Sequence, residues 1–285
     1  MRIGLSAYDW RARELLELGM LAEEFGFDAL WLGEHVVVPA AYASVHPTES
    51  EGDNTVDTSL GAELLDPWSA LSAIAAVTKR LRLATGICIV PLRHPLLVAR
   101  ASVTVHELSG GRFMLGAGAG WLKEEFAALD VPFEERGSRL DEALAILRMA
   151  WAGGALCHAG CHYSFEPVRV TTRSAQIPLV LGGNSERALK RAAMFGDAWY
   201  ASGVPTLAKA EELRRRLTEL RAEHREDEPI ACYVRLQGDD PGVLAGYAAA
   251  GFEDVVLVAN DLFLRRSPQE LRADVRRLAS NLGLC

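Results

Sequence analysis

The sequence predicts an α/β fold, a single (β/α)8 TIM barrel spanning residues 1–285, with insertions after the second strand and before the fifth. Two observations lead there. Short apolar runs alternate eight times with segments whose apolar residues fall at helical spacing. Several of these runs stop at glycines, as buried parallel strands do where a ligand must approach the backbone. A length of 285 residues suits one such barrel or two small domains, and the repeated alternation favours the barrel.

Arg2 to Ser6 is the first strand. Leu15, Leu18, Leu21, Ala22 and Phe25 then mark one face of a helix over 11–25, closed by Gly26. Asp28 to Leu32 is the second strand, ending at Gly33-Glu34-His35. Residues 36–65 are polar and rich in turn formers, which predicts a lid or pocket wall. Asp66-Pro67 supplies an N-cap and a helix-starting proline for a helix through Thr78. Leu81 to Ile89 is the third strand, about Pro95 to Leu108 a helix, and Arg112 to Leu115 the fourth strand. A long helix over roughly Glu134 to Trp151 carries Arg139, Asp141, Glu142 and Arg148 on its polar side. Residues 153–177 break the rhythm, and the alternating Tyr163, Phe165, Val168 and Val170 read as an inserted hairpin.

The alternation then resumes. Ile177 to Leu181 is a strand ending at Gly182-Gly183-Asn184-Ser185, followed by a helix over Glu186 to Phe195. Asp197 to Ala201 is a strand, and Leu207 to His224 a charged helix expected to present a solvated face. Pro229 to Gln237 is a strand, Pro241 to Ala250 a helix, Asp254 to Ala259 the last strand, and Ser267-Pro268 opens the final helix.

Composition limits the function. The chain is 49% hydrophobic and 24% charged, with a formal charge of −8. It has no basic block or aromatic-basic stripe, which disfavours a nucleic-acid surface and points to a small-molecule partner. No apolar run approaches the ~18 residues of a membrane span, and Met1-Arg2-Ile3-Gly4 enters a strand directly, so a cytoplasmic protein is expected. The cysteines at 88, 157, 161, 232 and 285 are scattered and odd in number, unlike a disulfide framework. Cys157-His158-Ala159-Gly160-Cys161-His162 invites a metal reading, but no second Cys/His cluster completes four ligands, so a solvent-facing loop is expected and no metal is assigned.

In a barrel of this kind the residues just after each strand face one mouth. Here those ends include Glu34-His35, Gly86-Ile87-Cys88, Gly116 to Trp121 and Gly182 to Ser185. Gly116-x-Gly118-x-Gly120 and Gly182-Gly183-Asn184-Ser185 suit a phosphate, because glycine lets backbone N–H groups come close and the second run leads into a helix N-terminus. Equally, barrel strands end in glycine for packing. His35 is a candidate to donate or accept a proton, against the plainer role of a hydrogen-bonded structural histidine. Glu34 and Glu124 are candidates to hold a hydroxylated ligand, or are rim carboxylates. Trp121 is a candidate stacking wall, or simple packing.

These residues carry a resemblance. Ala29-Leu30-Trp31-Leu32-Gly33-Glu34-His35, Leu83-Ala84-Thr85-Gly86-Ile87, Arg93-His94-Pro95 and Leu108-Ser109-Gly110-Gly111-Arg112-Phe113 come in order along the chain. Gly120-Trp121-Leu122, Glu124-Glu125-Phe126, Val131-Pro132-Phe133, Arg136-Gly137 and Gly182-Gly183-Asn184-Ser185 continue the series. The chain resembles the bacterial luciferase-like superfamily, most closely the branch that uses the deazaflavin coenzyme F420. The resemblance implies the same eight-stranded barrel. It also implies a third-strand bulge with a non-proline cis peptide at Gly86-Ile87 that supports the flavin-type ring, and a histidine, His35, near the reactive face. Deazaflavin sugar-phosphate dehydrogenases carry a glutamate where this chain has Trp121, and a tryptophan where it has Val36-Val37-Val38-Pro39, which argues against that reaction.

The resulting expectation is an F420-dependent oxidoreductase that passes a hydride between the deazaflavin and a small, weakly polar organic substrate. The cofactor site would comprise Glu34, Gly86, Ile87, Cys88, Gly118, Gly120, Trp121, Glu124, Gly182, Gly183, Asn184, Ser185 and Arg187, the last with Lys190 and Arg191 receiving the anionic tail of the cofactor. An FMN-dependent monooxygenase and a non-catalytic flavin-binding protein are the alternatives. The resemblance also implies a homodimer formed through helices near the second and third strands.

Overall fold

A computed structural model describes residues 1–47, 64–224, 228–263 and 266–284. The first half of the barrel is built from β1 (Arg2–Ala7), α1 (Ala12–Glu24), β2 (Ala29–Leu32), α2 (Pro67–Val77), β3 (Arg82–Thr85), β4 (Cys88–Ile89), α3 (Pro95–Leu108) and β5 (Phe113–Gly118). The connection to the second half holds α4 (Lys123–Ala128), α5 (Arg136–Ala152) and a two-stranded hairpin, β6 (Leu156–Ala159) with β7 (Ser164–Val168). The second half is β8 (Leu179–Gly182), α6 (Glu186–Phe195), β9 (Ala198–Tyr200), α7 (Leu207–His224), β10 (Ala231–Leu236), α8 (Pro241–Ala249), β11 (Asp254–Val258), α9 (Ala259–Phe263) and α10 (Pro268–Asn281).

The parallel pairings run β3-β2-β1-β11-β10-β9-β8-β5, and β5 also pairs with β3 and β4, so the sheet closes. Counting β3 and β4 as one interrupted strand gives the eight positions of the (β/α)8 TIM barrel. The interruption is a bulge. From Ala84 to Cys88 the third strand advances four residues, while its partners Met114 to Ala117 advance three. One extra residue on one strand is the definition of a β-bulge, which bends the strand locally.

Helix ends follow the sequence signals. Asp66 accepts a hydrogen bond from the Ser69 amide at 2.8 Å, and Ser267 forms a capping box with Glu270. The principal core lies between sheet and helices and includes Leu18, Leu71, Phe113, Leu144 and Trp199. A second cluster fills the barrel interior, with Trp31, Ala84, Met114, Val180, Tyr200, Tyr233 and Val256. Opposite the mouth, Arg2 donates to Asp254 at 2.6 Å, and Arg82 donates to Asp28 and to the Tyr233 hydroxyl.

The structure corrects several expectations. The fourth strand runs on to Gly118, the short α4 follows it, and the fifth strand begins at Leu179, two residues late. One arginine of the charged α7 helix departs from its solvated face: Arg221 is buried and donates to the carbonyls of Ala193 and Gly196 at the end of α6. The Cys157 to His162 run forms the tip of the hairpin. Its anchor is Glu142, which accepts from His158 and from the amides of His162 and Tyr163. Of the predicted lid at 36–65, residues 48–63 lie outside the described residues. No helix among the described residues is long and apolar enough to cross a membrane.

Candidate functional site

The Gly86-Ile87 peptide, in the bulge, is cis. Its surroundings explain the glycines. A Cβ on Gly116 would lie 1.8 Å from the Thr85 carbonyl oxygen, and one on Gly118 would lie 1.9 Å from Ile87 Cδ1. A Cβ on Gly182 would come within 3.0 Å of Ile87 Cγ2. The Ile87 side chain therefore occupies the space that side chains at 118 and 182 would need. Gly120 has φ +80 and packs close to Ile89 and Phe126. The Gly-x-Gly-x-Gly run thus has a local function, making room for the bulge. That packing is by itself a sufficient reason for glycine at 118 and 182.

Two further predicted site residues are buried. Cys88 is fully buried in the core, where burial pushes its thiol pKa up and the Glu34 carboxylate adds to the effect. Glu34 is buried as well. Its Oε2 accepts from the Ile89 amide at 2.8 Å, and Oε1 lies 2.7 Å from Arg93. Both residues brace the bulge from behind. Glu124 is at the rim, where it accepts from the amides of Ala43 and Ser44 and from the Ser44 hydroxyl. Those bonds hold its carboxyl well below the usual range, at about 2. It pins the start of the loop that follows β2.

His35 stands where the sequence places it, just past β2. Its Nδ1 lies 2.8 Å from Oε2 of Glu125, and the Glu125 side chain is fully buried. Oε1 of Glu125 accepts from the Val36 amide at 2.5 Å and from the Val37 amide at 3.4 Å. A carboxylate accepting through both oxygens places the proton on Nδ1 and leaves Nε2 as the second ring nitrogen. Glu125 is the residue that sequence reasoning missed. It stands next to Glu124 at the start of a six-residue helix whose spacing alone does not say which glutamate turns inward. Trp121 meets His35, Tyr42 and His46 edge-on at centroid distances of 5.9, 6.4 and 4.9 Å, forming an aromatic wall beside the histidine.

On the far side of the bulge, Asn184 is bonded through both amide atoms to the backbone of Ser202, and Ser185 caps α6 by accepting from Ala188. Gly183 has φ +119, a conformation that suits glycine in the turn. Arg187 is exposed in the first turn of α6, and Arg136 donates from Nε to the Gly120 carbonyl. Burial lowers the Arg136 pKa; the Glu134 carboxylate opposes this, and the charge of Arg187 adds to it to a smaller extent. The Gly120 turn and the first turn of α6 thus each carry a guanidinium group that can meet an anion. Arg191 is not available for this, because it pairs with Asp141 at 2.5 Å.

The family profile described as luciferase-like monooxygenase matches residues 2–238. The chain belongs to this luciferase-like family. Among its relatives, an uncharacterised protein of Mycobacterium tuberculosis is 31% identical over 272 residues, covering 93% of this chain and 92% of the relative. An F420-dependent glucose-6-phosphate dehydrogenase of Beutenbergia cavernae is 31% identical over 220 residues, covering 75% of this chain and 59% of that one. Among solved structures, the monooxygenase RslO1 from Streptomyces bottropensis superposes with a TM-score of 0.76 at 20% identity, covering 99% and 98% of the two chains. An F420-dependent secondary alcohol dehydrogenase gives 0.66 at 20% identity, covering 98% and 83%. The last two show that this member of the luciferase-like family shares their fold. Membership makes it an oxidoreductase-type enzyme, with both deazaflavin and flavin users among its relatives and neighbours.

Proposed function

We propose that this luciferase-like protein is a coenzyme F420-dependent oxidoreductase acting on a small organic substrate. The observation that carries the reading is the His35–Glu125 pair, a buried carboxylate orienting an imidazole beside the glycine-lined bulge at Gly86-Ile87. The 31% identity to an F420-dependent dehydrogenase supports the choice of cofactor. So do Arg136 and Arg187, which offer positive charge to a phosphate and an anionic tail.

The residues present fit such a cofactor. Ile87 and Trp121 would flank its ring, the backbone at Gly120 and Gly183 would approach its phosphate, and Arg136 with Arg187 would balance its charge. When bound, the deazaflavin supplies or accepts a hydride. The chain supplies position and a proton path: Glu125 fixes the tautomer of His35, and Nε2 of His35 hands over or takes up the accompanying proton. Trp121 and the loop pinned by Glu124 limit water at that nitrogen. Comparative binding of F420 and FMN, followed by anaerobic turnover, tests the reading. A homodimer through α1, α2 and α3 belongs to the same proposal, since Met20, Val77, Leu97 and Leu108 are exposed there. A monomeric mass in solution would remove that part.

A further inference from the structure

The barrel interior carries charge at both ends, but among the described residues only one end is neutralised. Away from the mouth, the inward-facing Arg2 and Arg82 meet Asp254 and Asp28. Toward the mouth, Arg235 occupies the next-to-last position of β10. It pairs in register with Val256, a member of the interior cluster, and lies two residues beyond the inward Tyr233. Side chains alternate along a strand, so Arg235 shares their inward face, one layer nearer the mouth. Its Nε is buried without a hydrogen-bond partner, and the guanidinium makes no ion pair with any described residue. A buried N–H of a guanidinium costs free energy unless a partner arrives, while the two Nη groups remain open to a ligand.

A second orphan stands beside it. Tyr200 ends β9, its register partner is Tyr233, and its buried hydroxyl makes no hydrogen bond of good geometry among the described residues, the Ser6 side chain being its polar neighbour. That hydroxyl would lie 3.7 Å from a Cβ on Gly86, so it reaches the bulge. Burial pushes its pKa up to about 12, against the opposing pull of Arg235 and Ser6, so Tyr200 stays a hydrogen-bond donor across the physiological range. Trp31 packs against the Tyr200 ring at 4.8 Å and closes the floor.

We infer that Arg235 and Tyr200 form a substrate-binding floor for a carboxylate. The fork of a guanidinium matches the two oxygens of a planar carboxylate, and a phenol can donate to one of them. One unpaired positive charge suits a monoanion better than a phosphate dianion, which would keep a net charge at an enclosed site. The inference deepens the proposed function and rests on it, because it names the substrate class of that same mouth. It also departs from the expectation of a weakly polar substrate: the walls are apolar, but the floor presents a guanidinium and a phenol.

The test titrates cofactor-free protein with benzoate and, separately, with inorganic phosphate, following tryptophan fluorescence. Wild type should show saturable benzoate binding and at least tenfold weaker phosphate binding. Arg235→Met should weaken benzoate at least tenfold and Arg235→Lys by less, while Arg100→Met, on the outer face of α3, should change nothing. The thermal midpoint of Arg235→Met should equal or exceed that of wild type, since an unpaired charge is removed. Benzoate affinity in Arg235→Met within twofold of wild type, absence of benzoate binding in wild type, or preferred phosphate binding would each overturn the inference. F420 titration of the same proteins separates the two proposals. Arg235-dependent benzoate binding without F420 binding sinks the cofactor reading alone, and F420 binding with an indifferent Arg235 sinks the carboxylate floor alone.

Discussion

Nδ1 of His35 lies 2.8 Å from Oε2 of a fully buried Glu125, and the same carboxylate collects the amides of Val36 and Val37. One side chain therefore fixes both the ring orientation of the histidine and the path of the chain leaving β2. His35→Ala should lower turnover ~10²-fold or more, the scale of losing a general acid or base, and leave cofactor affinity within a few-fold. Glu125→Gln should keep the loop amides bonded yet alter the pH–rate profile, because an amide no longer holds the imidazole as a carboxylate does. Glu125→Ala should in addition lose about 2–4 kcal/mol of stability, since it strands three donors. An unchanged pH–rate profile in Glu125→Gln would remove it as a positioning residue.

The contact of Ile87 with Gly118 predicts a coupled pair. Gly118→Ala places a Cβ 1.9 Å from Ile87 Cδ1, and overpacking of this kind costs about 1–3 kcal/mol. Gly118→Ala combined with Ile87→Ala should recover part of that loss, giving a coupling energy of about 0.5 kcal/mol or more in a double-mutant cycle read by denaturant unfolding. Strict additivity would show that Gly118 has some other reason to be glycine.

Tyr200 predicts an alkaline limit to stability. Its folded pKa is about 12, against about 10 for an unfolded tyrosine. Between these values the unfolded chain releases its proton first, so stability falls as pH rises from about 10 to about 12 and then levels off. The full effect is on the order of 2–3 kcal/mol. Tyr200→Phe should flatten that part of the pH–stability curve, which unfolding titrations at pH 9 and pH 11.5 would show. An equal fall in the variant would assign the effect to other groups.

Glu142 holds the inserted hairpin through His158 and two backbone amides. Glu142→Ala should leave the barrel folded and raise hydrogen exchange across 156–168 by at least tenfold. No change there would show that packing of Tyr163 and Phe165 is sufficient to hold it.

The barrel was legible because its signals are local and repeated: period-3.6 helices, short apolar strands, and caps such as Asp66-Pro67 that mean the same thing in any fold. The bulge at Gly86-Ile87 and the position of His35 were legible through resemblance and strand register. What the sequence could not show depends on direction. Glu124 and Glu125 are neighbours of the same chemistry, yet α4 sends one to the rim and the other to His35. Gly118 and Gly182 read as phosphate loops until Ile87, from another strand, is seen filling their space. Cys88 and Glu34 sit at a strand end like site residues, but face the core and Arg93. Arg235 looked ordinary within its strand, because its lack of a partner is a property of the closed barrel.

The central claim is the cofactor, and the most direct measurement is a parallel titration of the purified protein with F420 and with FMN, followed by absorbance and fluorescence. The account predicts micromolar or tighter binding of F420, weaker binding of FMN, loss of F420 affinity of tenfold or more when Arg136 and Arg187 are both replaced by Met, and turnover that persists without oxygen. Tight FMN binding with no F420 binding, and turnover that needs both reduced FMN and oxygen, would contradict it in favour of a monooxygenase.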